Sequence, residues 1–441
     1  MSSTATGDRP QPLSRQAPVR GLFYGWVMLG VSMLALFASG PAQTFGLGVF
    51  APHIQEALGI SPGMLSLAFS AGTLLAALPM GYLGAIMDRL GVRKTLLGVS
   101  FLFGATCMAM GLVNGVVALF FGFLMMRLLG QGALGLCSAN TLPFWFERRL
   151  GTVEGIRHLG FAAALGVIPP LNLWLIGAVG WRMAFVCLGL GVWAIMALVL
   201  ILFRNRPEEV GQAKDGDRVK HIDTEAAHAH DLAVSYTLRQ AMCTGAFWGL
   251  VSSVALWACL NTSIMFHIVP LLEARGLTSS EAAVLFPIFA VSLAVMHVVG
   301  GYLADRLPFN AMLAGAVMCM IGVFGLFAFV HQSWMVYPAG LLMGVTQGTL
   351  VAVISPATPR FFGRAHIGKI RGVMATIFVS STSVGPVILG YGVELIGSYT
   401  PLLIGYFFAP MPLVVLALWA VPRNADGMAG DPRNDPETTI T

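Results

Sequence analysis

Residues 81–94 read GYLGAIMDRLGVRK, and residues 300–308 read GGYLADRLP. Gly84, Asp88 and Arg89 of the first stretch fall on Gly301, Asp305 and Arg306 of the second at an offset of 305 − 88 = 217 residues. A second pair repeats at nearly the same spacing. Trp145, Phe146, Arg148, Gly151 and Gly155 in WFERRLGTVEGI match Phe361, Phe362, Arg364, Gly368 and Gly372 in FFGRAHIGKIRGV, where 364 − 148 = 216. Two unrelated motifs recurring at almost one spacing mark the chain as a duplicated unit.

Each of these motifs adjoins long apolar runs. The 441 residues are 56% hydrophobic and only 10% charged, with a mean hydropathy of +0.79, against roughly 45–50% apolar and about 25% charged in soluble domains. A helix needs about 20 apolar residues to cross roughly 30 Å of hydrocarbon. Runs of that length are predicted at 24–50, 64–84, 95–112, 116–141, 154–178, 181–203, 245–271, 282–304, 310–330, 333–357, 369–394 and 400–421. The 52 glycines suit helices that pack closely in lipid. The expected fold is therefore an all-α membrane protein with twelve transmembrane helices in two pseudo-symmetric six-helix bundles. The expected divisions are a tail 1–20, a bundle 21–203, a linker 204–244, a bundle 245–421 and a tail 422–441. Residues 1–20 are polar and hold prolines, and no small-residue cleavage pattern follows the first apolar run, so that run is expected to stay uncleaved.

Charge gives an independent reading of topology. With the N-terminus inside, Arg89, Arg93, Lys94, Arg148, Arg149, Arg204, Arg206, Arg239, Arg306, Arg360 and Arg364 all face the cytoplasm, and the opposite side holds little beyond Arg182 and Arg275. This asymmetry follows the positive-inside rule and predicts a multi-pass protein of the cytoplasmic (inner) membrane with both termini cytoplasmic. It also accounts for the net charge of +5 without a nucleic-acid partner. Cys107, Cys137, Cys187, Cys243, Cys259 and Cys319 lie scattered in or beside apolar spans and read as packing residues. His221, His228 and His230 in the linker lack a framework to fix ligand geometry, so no metal or cofactor is expected. Paired carboxylates, a nucleophile with a positioned base and a nucleotide-binding loop are all missing at membrane depth, which argues against an enzyme or an ATP-driven pump.

The motif at 81–94 and the six-plus-six organisation resemble the major facilitator superfamily. Tyr24-Gly25-Trp26, Trp145-Phe146, Arg206-Pro207-Glu208-Glu209 and Phe361-Phe362-Gly363-Arg364 are similar to motifs of its monocarboxylate and oxalate/formate-type branch. The resemblance implies secondary transport by alternating access around a central site, with a small-molecule substrate, the lipid bilayer and protons as partners and a monomer as the working unit. It would place a lysine in the first helix and an aspartate and arginine in the eighth. Those places hold Gln43 or Thr44, Leu293 and His297. Three cargo readings follow: an organic acid moved by proton symport, a neutral or heteroaromatic nutrient such as a riboflavin-like vitamin, or an exported drug or metabolite. A transporter-derived sensor is the reading outside transport.

Polar groups inside the spans are the candidate site, because each is costly there. Arg127 in FLMMRLLGQGALG also resembles the fourth-helix arginine motif of the superfamily. Gln43, Thr44, Trp257, Asn261, His267, His297, Gln347 and Ser381 are the other candidate substrate contacts, and Asn261-Thr262 is expected to interrupt the seventh span. Glu154, Arg157 and His158 are expected to snorkel to the interface. Pro169-Pro170, Pro287 and Pro386 are expected to kink their helices. Asp88, Arg89, Arg93, Asp305 and Arg306 are candidate gating residues, since short charged turns at helix ends can form ion pairs that break and re-form.

Overall fold

The computed structural model describes residues 23–146, 150–212, 236–304, 306–329, 331–362 and 367–419. The tails 1–20 and 422–441, the linker histidines and Asp305 lie outside the described residues, as does the side chain of Asp88. What is described is helical, with no strand among it. Ten stretches are long and apolar enough to span a bilayer, and eleven if Ala51–Leu58 and Pro62–Ala77, bent by 115°, form one more. Length alone undercounts in one place. Thr152–Leu202 passes as a single stretch, but Gly180 has φ 78 and ψ 159, so two helices meet there, between the fifth and sixth expected spans. That backbone region is essentially open only to glycine.

The first span is broken, at a place where hydropathy runs on without interruption. Gly25–Ala38 ends in the 3-10 turn Gly40–Ala42, Gln43 is extended at ψ 155, and the helix resumes at Thr44–Gly48. Pro41, which carries no N–H, sits in the turn. The seventh span, by contrast, is one continuous helix, Gly245–Glu273, running through Asn261 and Thr262. The expected interruption is absent because an asparagine carboxamide facing a cavity need not compete for its own backbone. Helices likewise continue through Pro169, Pro170, Pro287 and Pro386. In the fourth span the stretch Met126–Leu134 is a π-helix. Such wide turns recur at functional sites.

Two apolar cores lie side by side. One gathers Phe50, Phe103, Phe123 and Phe185 from the first half. The other gathers Phe247, Phe286, Phe324 and Phe327 from the second. They interlock, because Phe266 of the seventh span enters the first core while Phe45, Leu165 and Ile168 enter the second. In lipid, where tails are as apolar as leucine, close packing must do what water does for soluble bundles. Gly48 lies against the backbone of Met265 and Phe266, and a Cβ on Gly385 would run into the Cys259 carbonyl. Outward, large apolar side chains such as Leu395, 84% exposed, face the surroundings.

Gly180 tests this reading of the hairpin. A Cβ added at Gly180 or at Gly177 would meet no atom within 4 Å, so only backbone conformation separates the two sites. Gly180→Ala is expected to cost about 1–3 kcal/mol and to lower the apparent melting temperature in detergent by several degrees, whereas helical Gly177→Ala leaves it unchanged or raises it. Equal responses would contradict the positive-φ join.

Candidate functional site

A cavity of about 170 Å³ opens where the broken first span, the π-helical fourth span and the continuous seventh span approach one another. Gln43, Thr44, Arg127, Trp257, Asn261 and Gln347, all marked from sequence, line it. Phe45, Gln131, Phe161, Phe289, Phe378 and Thr382 line it too. Gln131 has a signal that could have found it, since it lies one turn after Arg127 on the same helix face. The aromatic residues carry no such signal, because they look like ordinary core residues.

Three of the candidates lie off this lining. Ser381 donates to the Ile377 carbonyl at 2.8 Å within its own helix, and its neighbour Thr382 faces the cavity instead. A one-residue step turns a helix by about 100°, which separates the two. His297 packs against His158 with ring centroids 5.8 Å apart. His267 is fully buried at a contact between the halves.

Arg127 is 2% exposed and held on three sides. Its Nε donates to Thr73 Oγ1 at 3.0 Å, and its Nη1 to the Ala42 carbonyl at 3.3 Å and Thr44 Oγ1 at 3.4 Å. Thr73 gives its own hydrogen to the Phe69 carbonyl at 2.8 Å, so its oxygen is free to accept from the guanidinium. The Ala42 carbonyl belongs to the turn that breaks the first span, and the Phe69 ring centroid lies 5.0 Å from the guanidinium carbon. Nη2 has no hydrogen-bond partner among the described residues, and no described carboxylate pairs with this arginine. Every fixed partner is neutral.

The described hydrogen bonds between the halves lie away from Tyr24, near the turns after Leu58 and Glu273, and the His158–His297 ring contact joins the halves elsewhere. Ser66 donates to the Pro62 carbonyl at 2.7 Å, so the His267 Nε2 at 3.0 Å must be the donor in that pair. The same Nε2 lies 3.3 Å from the Pro386 carbonyl, and Nδ1 is buried without a partner among the described residues. Gly63 N donates to Glu394 Oε2 at 3.2 Å, and the Phe69 and Phe266 rings lie 4.3 Å apart. At the opposite end the contacts of Arg93 and Arg306 stay within their own halves. Arg93 donates its backbone N–H to Asn205 Oδ1 and its Nη2 to the Leu200 carbonyl, Arg306 stacks 4.1 Å from the Tyr302 ring, and Arg89 is exposed. Arg157 does not snorkel as expected. It is buried, with Nε 2.7 Å from Glu154 Oε2 and Nη1 3.3 Å from Ser138 Oγ, because those partners lie within reach inside the bundle. No group of three His, Cys, Asp or Glu among the described residues is placed to hold a metal ion.

The family model described as Major Facilitator Superfamily matches residues 26–386. The chain belongs to the Major Facilitator Superfamily. It is therefore a multi-pass membrane transporter rather than an enzyme. Similar curated members include a probable sulfoacetate transporter, SauU, of Cupriavidus necator, 26% identical over 391 residues covering 85% of this chain and 88% of that one. The hexuronate transporter of Escherichia coli K12 is 23% identical over 419 residues, 88% of this chain and 92% of that one. Among solved structures, a bacterial homologue of the human lysosomal transporter Spinster shares the major facilitator fold, with a TM-score of 0.64 at 16% identity over 90% of this chain and 95% of that one.

The His267 contact between the two halves of this superfamily member has a measurable worth. His267→Ala is expected to lower the apparent melting temperature by a few degrees, corresponding to about 1 kcal/mol for one buried hydrogen bond plus the lost ring packing. His267→Gln keeps an Nε2 donor and is expected to recover part of that loss. Equal falls for both variants would mean that the ring, and not the bond to Ser66, holds the seam.

Proposed function

We propose that this transporter carries small organic acids as anions, with Arg127 as their counter-charge. One observation carries the reading: a buried guanidinium lines the cavity, and no described carboxylate neutralises it. An uncompensated charge at membrane depth costs several kcal/mol, and an anionic cargo removes that cost each time it binds. The names of the relatives support it, since sulfoacetate and hexuronates are organic acids. Trp257, Phe161, Phe289 and Phe378 around the cavity favour a second reading, a heteroaromatic nutrient, but a neutral cargo would leave the guanidinium unpaired.

In this proposal the two six-helix units, 21–203 and 245–421, rock about the cavity, with the termini cytoplasmic in an inner membrane and the monomer as the working unit. The bonds of Ser66 and Gly63 to the second half close the outer end, so the structure is read as facing inward. Asp88, Arg89, Arg93, Asp305 and Arg306 would then engage across the inner end only in the outward-facing state, which fits the Arg93 guanidinium bonding Leu200 and the Arg306 guanidinium stacking on Tyr302 within their own halves here. Protons are the proposed coupling ion, because a proton moving with a monoanion cancels the charge transferred.

Proteoliposome uptake tests the proposal. Radiolabelled small carboxylates are expected to accumulate when the proton gradient is directed inward, and Arg127→Gln is expected to reduce uptake by at least about tenfold, the loss of one charge-assisted contact. Accumulation indifferent to both substrate charge and the gradient would overturn it.

A further inference from the structure

A second unmet demand sits on a lining residue that comes from the other half of the protein. Asn261 lies on the seventh span, in the other half of the protein, and lines the same space. Its Oδ1 is buried and has no hydrogen-bond partner among the described residues. A buried acceptor left unpaired costs about 1–3 kcal/mol, so a group of this kind in a continuous helix calls for a partner that arrives from outside.

The described residues nearby do not supply one. The Gln43 amide nitrogen is committed to Ser39 Oγ at 3.1 Å, and Thr382 gives its hydrogen to the Val379 carbonyl at 2.7 Å. The rest of the lining mixes apolar residues such as Met265 and Phe289 with the polar Gln131, Thr262 and Gln347, none of which is hydrogen-bonded to Asn261 among the described residues. A hydroxyl both donates and accepts, so it satisfies a carboxamide whichever way the amide is turned. Arg127 is the single charged side chain in the lining among the described residues, which suits one negative charge better than two.

We infer that the cargo is a hydroxylated monocarboxylic acid, its carboxylate on Arg127 of the first half and its hydroxyl on Asn261 of the second. This rests on the organic-anion reading and narrows it. Asn261 becomes the residue that selects hydroxy acids over their parent acids, and the cargo bridges the two halves. Discrimination of this sort is strong when a site is built to bond a hydroxyl, because the parent compound leaves the buried polar group unpaired.

The test is a binding series on the purified full-length protein, by thermal shift and calorimetry. Benzoate is compared with 2-, 3- and 4-hydroxybenzoate, and butyrate with 2- and 3-hydroxybutyrate, in wild type, Asn261→Leu and Asn261→Ala. The inference expects at least one hydroxy acid to bind about tenfold or more tightly than its parent in wild type. It expects that preference to shrink to within about twofold in whichever Asn261 variant folds. Equal binding of parent and hydroxy acids in wild type, or a preference that survives both substitutions, overturns the role of Asn261 and leaves the anion reading intact. If no acid of either kind binds, the organic-anion reading itself falls, and this inference with it.

Discussion

A guanidinium enclosed at membrane depth is tolerable only while its surroundings replace the hydrogen bonds and counter-charge that water would provide. Around Arg127 the described residues provide the first and not the second. Thr73, Thr44 and the Ala42 carbonyl take hydrogen bonds, and all three are neutral. Much of the local architecture serves those contacts. The first span must break for the Ala42 turn to form, and the arginine itself sits in the π-helical stretch Met126–Leu134. A carboxylate partner built into the protein would have stabilised the empty state and removed the attraction for an anion.

The same logic extends to the seventh span. Asn261 leaves its acceptor unpaired in a helix that is otherwise regular, and the two unmet demands belong to different halves of the chain. A cargo that meets both ties the halves together through itself. The hydrogen bonds between the halves among the described residues lie elsewhere, at Ser66, His267, Gly63 and Glu394, and they are few beside the ring contacts Phe69–Phe266 and His158–His297. Few polar bonds at a seam allow it to part without leaving many buried groups unsatisfied.

Much of this was legible in the amino-acid sequence. The two repeats implied a duplicated helical unit, hydropathy placed the fifth and sixth spans on either side of Gly180, and the cost of charge in lipid singled out Arg127. Gln43, Thr44, Trp257, Asn261 and Gln347 follow from the same rule and do line the cavity. The rest depended on rotation and distance, which composition does not encode. Ser381 and Thr382 are adjacent and equally polar, and only helix phase decides that Thr382 faces inward. His267 is consumed by a partner far away in sequence, Ser66, and Arg157 by Glu154 and Ser138 inside its own bundle. The break in the first span arises at Gly40-Pro41, whereas Asn261-Thr262 stays helical because its side chain has a cavity to face.

The charge of Arg127 as the recognition element can be isolated by comparing acids with their uncharged isosteres. Isothermal titration of the purified protein with benzoate against benzamide, and lactate against lactamide, in wild type and Arg127→Met, measures it directly. At least one acid is expected to bind wild type about tenfold or more tightly than its amide, with the ratio falling close to one in Arg127→Met. Equal binding of acid and amide by wild type, or an acid preference that survives the loss of the guanidinium, would contradict that role for Arg127.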